Sequence, residues 1–102
     1  LKYSIPVPKR GDYEVRLFFS ENFQQVQGPD KRKFHIVIEG KLEKANVDIY
    51  ELARNEGFRA TSQAFRTVVS GDTLDLELIK VKQNPKVNAI EIQKWPSDSE
   101  KI

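Results

Sequence analysis

Hydrophobic positions recur at every second residue over several short runs of this chain, most plainly in DYEVRLFFSENF, residues 12–23. Tyr13, Val15, Leu17 and Phe19 fall two apart with Glu14, Arg16 and Ser20 on the other parity, so an extended backbone sends the apolar set to one face. This predicts a half-buried β-strand. Phe18 interrupts its polar side, and Glu21, Asn22 and Phe23 carry the chain off the strand end with an aromatic in a loop. The same alternation predicts strands through Phe34, Ile36 and Ile38, through Val47 and Ile49, through Phe65, Thr67 and Val69, through Leu74, Leu76 and Leu78, and through Ile90 and Ile92. Tyr3, Ile5 and Val7 also share a face. Pro6 and Pro8 have no N–H to give to a ladder, however, which confines residues 2–8 to a sheet edge or strand end.

The stretches between these runs carry turn residues. Gly11 and Asp12 predict a hairpin-like return into the first long strand, Gly40 and Lys41 a second turn, and Ser70, Gly71 and Asp72 a third. Residues 24–33 are polar, hold Gly28, Pro29 and Asp30, and follow neither period, which makes them a loop. Residues 51–57, ELARNEG, contain helix formers but are too few for an independent helix, so one helical turn or an irregular loop is expected. Asn84 and Pro85 mark a polar connection over 81–86, and residues 95–102 read as a linker. About seven short strands with no amphipathic helix predict an all-β fold, an antiparallel β-sandwich. Its expected core is Tyr13, Val15, Leu17, Phe19, Phe34, Ile36, Ile38, Leu74, Leu76, Leu78, Ile90 and Ile92. The expected division is one domain over 1–93 and a C-terminal tail or linker over 94–102.

Length and composition narrow the function. At 102 residues the chain is a single domain, large enough for one core without disulfides or metals. Its 17 basic and 15 acidic side chains leave a net charge of +2, which gives no reason to expect a nucleic-acid partner. No apolar run approaches the ~18 residues of a membrane span, so no membrane insertion is expected. The densest basic run, Lys31, Arg32 and Lys33, reads as a solvated loop face. Cysteine is absent and no Asn-x-Ser/Thr acceptor occurs, which leaves the compartment open, cytoplasm included. A chain that opens on Leu1 and Lys2 reads as a domain excised from a longer protein.

Catalytic chemistry finds little to build on. His35 is the sole histidine and falls on the outer parity of a strand, where a surface or cross-strand polar role suits it. Asp75 and Glu77 share a strand face without a third ligand in view, and nothing pairs carboxylates such as Glu21 and Asp48 across a cleft. The five glycines are isolated, so there is no phosphate loop. The chain is therefore read as no enzyme, with no cofactor and no metal. Tyr3 and Phe23, near the amides of Asn22, Gln24, Gln83 and Asn84, are groups a sugar site uses: a ring face for pyranose C–H groups and amides for hydroxyls. The same residues suit a structural role, with Tyr3 at the core edge and Phe23 plugging the sandwich end.

Several blocks in order, YSIP at 3–6, GDYEVRLFFSE at 11–21, FHI at 34–36 before Gly40, DI at 48–49 and NPKVNAIEI at 84–92, resemble the malectin and malectin-like domains. The resemblance implies a jelly-roll β-sandwich similar to carbohydrate-binding modules, and a neutral, glucose-containing glycan or oligosaccharide as the partner. It places ligand contacts on Tyr3, on Phe23 and on the residue before Asn84, Gln83, which stands where the family commonly has an acidic residue. It implies a secreted or lumenal setting. The alternative reading is a protein-interaction or structural module appended to a larger receptor, motor or carbohydrate-active enzyme, with another protein as partner.

Overall fold

A computed structural model of the chain describes residues 1–54 and 56–95. Seven strands run in chain order as β1 (Lys2–Pro6), β2 (Gly11–Ser20), β3 (Lys33–Ile38), β4 (Lys41–Val47), β5 (Ala60–Val69), β6 (Thr73–Lys82) and β7 (Ala89–Lys94). They form a four-stranded sheet of order β1-β6-β3-β4 and a three-stranded sheet of order β5-β2-β7, antiparallel throughout. The molecule is the antiparallel sandwich of jelly-roll type that the alternation and the resemblance pointed to.

Alternation decides which side chains the two sheets share. β2 lies at the centre of its sheet and buries Tyr13, Val15, Leu17 and Phe19, each at most 2% exposed. Facing them are Phe34, Ile36 and Ile38 of β3 and Leu74, Leu76 and Leu78 of β6. Ten of the twelve expected core residues are thus fully buried. Ile90 and Ile92 pack against this core only partly, because β7 is an edge strand with one flank open.

Three expectations are corrected. Gly11 and Asp12 do not close a hairpin: β1 pairs with β6 in one sheet and β2 with β5 and β7 in the other. Residues 7–10 instead cross the roughly 10 Å between packed sheets, held by the Val7 N–H donating to Asp72 O at 3.0 Å. The true hairpin joins β3 to β4, where Glu39 and Gly40 at φ 51° and 75° form the two-residue turn whose twist suits paired strands. Second, no strand runs through Val47 and Ile49. β4 ends at Val47, and Ile49–Leu52 forms a helical turn, α1, whose first N–H groups are capped by Asp48, its Oδ1 accepting from Glu51 N at 3.3 Å. β4 escaped the pattern because its register against β3 shifts twice, with Asn46 at φ 53°, and a bulged edge strand loses its period of two. Third, the 24–33 loop contains a short 3-10 turn, Gln24–Val26, whose Val26 is 2% exposed.

The expected tail begins on an ordered anchor. Lys94 closes β7, the Trp95 N–H donates to Asp12 O at 2.8 Å, and the Arg66 guanidinium lies 4.7 Å over the Trp95 ring. The rest of that tail, 96–102, lies outside the described residues.

Candidate functional site

At one end of the sandwich β2 finishes beside the start of β3, one from each sheet, and the alternation of both strands persists past their ends. Phe19 points inward and so does Glu21 two residues later; Arg32 stands two residues before inward-facing Phe34. The carboxylate and the guanidinium therefore meet over the Phe19 and Phe34 rings, whose centroids are 5.8 Å apart at a 50° tilt. Arg32 Nε donates to Glu21 Oε1 at 2.6 Å and Nη2 to Oε2 at 3.3 Å, a two-pronged pair whose members are 9% and 2% exposed. Reading residues 31–33 as a solvated face is thus wrong for Arg32. Its parity with Phe34 turns it inward, where a buried carboxylate meets its charge.

The third arm of Arg32 builds the neighbouring loop. Nη1 donates to the backbone carbonyl of Asn84. Lys86 Nζ donates to Ser20 O, Asn88 Oδ1 accepts from Ser20 N at 2.9 Å, Asn88 N donates to Phe18 O at 2.8 Å, and Val87 packs on the core. Lys86 and Asn88 thus stitch the loop to the end of β2, while Arg32 holds it at Asn84. Burial pushes the Lys86 ammonium below its ordinary pKa; Glu21 pulls it back up and Arg32 adds to the lowering.

A second junction joins the remaining loops. Asp48, 4% exposed, caps α1 with Oδ1 and accepts the Asp30 N–H on Oδ2 at 2.6 Å. The Asp30 carboxylate in turn holds Lys33 at 2.7 Å and Lys82 at 2.6 Å. Lys33 first, then Lys82, lowers the Asp30 pKa from 3.8 to about 2. The sign follows from linkage: a depressed folded pKa contributes stability that is present above pH 3.8 and lost as pH falls through about 2. Carboxyl-detected NMR titration should place the Asp30 midpoint near 2, moving toward its ordinary value in high salt. A midpoint of 3.8 or above in low salt would mean the two lysines do not hold it.

The sequence-predicted site residues divide between two places. Phe23 heads the 3-10 turn at this end and is 47% exposed, so it does not plug the sandwich. Gln83 and Asn84 are exposed in the loop that Arg32 anchors, Gln83 at φ 58°. Tyr3 is not brought to them. It pairs with Leu76 on β1 and packs against the core, and Leu76 pairs with Ile38 beside the β3–β4 turn. Seven strand residues from Leu76 to Gln83 span roughly 23 Å. His35 takes the cross-strand role, its Nδ1 accepting from Asn46 N at 3.0 Å. Among the described residues no cluster of three His, Asp or Glu is placed to hold a metal ion.

Sequence reasoning missed Phe58. It lies just before β5, is 58% exposed, and donates its N–H to Glu21 O at 3.0 Å. The available signal was an aromatic outside any alternation in a loop, as for Phe23, here with a glycine before it.

Comparison with known structures places this geometry. The fold superposes on a Bacteroides uniformis β-glucuronidase with a TM-score of 0.79 at 19% identity, over 93% of this chain and 11% of that one. It superposes on the plant receptor-like kinase FER with a TM-score of 0.79 at 18% identity, over 97% of this chain and 28% of that one, and on the plant receptor-like kinase ANX1 with a TM-score of 0.76 at 21% identity, over 90% and 26%. The chain thus spans about a tenth of the glucuronidase and little more than a quarter of the kinase structures. No match is found among curated proteins. The Malectin domain family matches residues 1–99, taking in all seven strands, the buried Glu21 and Arg32 and the 84–88 anchor, and the chain belongs to that family.

Proposed function

We propose that the domain binds a neutral, glucose-containing oligosaccharide at the loop end, with Phe23 covering a pyranose face and Gln83 and Asn84 bonding hydroxyls. The family is non-catalytic and its fold is of a carbohydrate-binding type. The observation that carries the reading is the exposed Phe23 ring beside a loop whose Asn84 is tethered through Arg32 to Glu21, two residues from that ring. Preorganised groups lose less entropy on binding, which matters for a shallow site facing a strongly hydrated ligand. Dissociation constants of ~1 µM to 1 mM, about 4 to 8 kcal/mol, fit such a site. Gln83 supplies a neutral amide where a carboxylate would give bonds roughly twice as strong, which places this chain at the weak end. Tyr3, packed at the core edge and paired with Leu76, is not among the contacts of this proposed site.

Maltose and related disaccharides, titrated while backbone amide shifts are followed by NMR, test the reading. Phe23→Ala is expected to weaken binding without unfolding the protein, and Gln83→Asp to tighten it. If no amide near Phe23 or Gln83 moves at ~10 mM sugar, above the assumed dissociation range, the reading fails for these ligands. A protein partner is favoured instead by one observation, the exposure of Leu42 and Val68 on the sandwich flanks, at 55% and 65%. On that reading binding would survive Phe23→Ala.

A further inference from the structure

We propose that Phe58 is a second ring contact for the sugar, forming with Phe23 a two-ring platform at the loop end; this rests on the sugar-binding reading above. Among the described residues seven large hydrophobic side chains are exposed, and the two aromatic ones, Phe23 and Phe58, both lie at this end. Leaving a phenylalanine in water forgoes the stabilisation that burying it would contribute, so two at one place ask for a covering ligand.

The backbones that carry both rings meet at one hydrogen-bonded node. The side-chain amide of Gln27 donates from Nε2 to Glu21 O at 2.8 Å and to Phe23 O at 3.1 Å. The Phe58 N–H donates to the same Glu21 carbonyl at 3.0 Å. Gly57 closes on the other side of that amide, so tightly that a Cβ there would lie 1.5 Å from Gln27 Oε1. The backbone of Phe58 is also in the left-handed region at φ 59°, an uncommon conformation for a bulky residue, which must be held by its surroundings. The missing side chain at 57, the amide of Gln27 and the carbonyl of Glu21 do that holding. Glu21 is itself fixed by Arg32, so ring positions and the Asn84 loop share one support.

The chemistry around the rings selects the ligand. Asn22, Gln24 and Gln25 are exposed amides beside Phe23, donors and acceptors without charge. The nearest charges to Phe58 in sequence, Glu56 and Arg59, pair with each other at 3.4 Å. Flat apolar faces set among neutral amides fit the C–H face and hydroxyls of a neutral sugar.

The test compares the chain as it stands with Phe58→Ala, Phe58→Tyr and Phe23→Ala in NMR titrations with maltose and longer neutral glucans, each variant first checked for an intact amide spectrum. Losing one ring contact is expected to weaken binding about three- to tenfold, while Phe58→Tyr, which keeps the ring, stays within about twofold of the parent. Phe58→Ala equal to the parent, with Phe23→Ala weakened, overturns this inference alone and leaves the sugar site standing. Equal losses in Phe58→Ala and Phe58→Tyr overturn it as well, since the ring face would then be irrelevant. A parent chain that binds none of these sugars sinks both readings, as does a Phe58-dependent protein complex without sugar binding.

Discussion

Arg32→Ala is expected to destabilise the domain by about 3 to 5 kcal/mol, the usual cost of removing one partner from a buried ion pair. The guanidinium is 9% exposed and the carboxylate it would abandon 2%, so the loss is not that of a solvated pair worth about 0 to 1 kcal/mol. Two bonds to Glu21 disappear together with the bond to the Asn84 carbonyl, leaving the Glu21 carboxylate buried without its hydrogen-bonded partner. Replacing both members with apolar residues, Glu21→Leu with Arg32→Met, should cost less than Arg32→Ala alone, because no buried carboxylate is left without its partner. Urea unfolding of the three variants measures this. A loss under about 1 kcal/mol for Arg32→Ala would show that water screens the pair. The same variant should loosen the 83–84 loop, read as faster amide exchange there, since its tether to β2 through Arg32 is gone.

Phe34→Ala is the second large effect, about 3 to 5 kcal/mol, the range for deleting a buried phenylalanine ring. Phe34 is fully buried, sits on a central strand between β6 and β4, and meets Phe19 across the gap between sheets. Deleting it opens a cavity at the point where the two sheets support the Glu21 and Arg32 pair. Its cost should therefore not add to that of Arg32→Ala: neighbours sharing a support couple by about 0.5 to 3 kcal/mol. Denaturant titration of the single and double variants gives the coupling. Strict additivity would mean that the ring pair and the ion pair are independent, and a Phe34→Ala cost below about 1 kcal/mol, well under the core range, would place the ring outside the core.

Phe23→Ala, by contrast, changes an exposed ring and should touch binding and not stability. That separation between a buried support and an exposed contact was only half legible in the chain itself. The period of two assigns every residue of a strand to a face, and a shift of one residue would put Tyr13, Val15, Leu17 and Phe19 in water, so the face they occupy follows from local chemistry alone. The all-β class, the buried set on β2, β3 and β6, the loop position of Phe23 and the resemblance carried by the 11–21 and 84–92 blocks follow from the residues as written. Alternation does not say which strand pairs with which, because any two apolar faces bury each other equally well in one dimension. Only the tertiary structure decided that β1 joins β6, which took Tyr3 away from the loop end, and that β1 and β2 fall in different sheets despite the turn residues between them. Charge in sequence is equally silent about depth: Arg32 stands between two lysines, yet the strand it leads into turns it inward to a glutamate eleven residues back. Phe58 lay hidden for a related reason. Its exposure depends on a left-handed backbone and a glycine fitted against the Gln27 amide, contacts between segments thirty residues apart that no local pattern encodes.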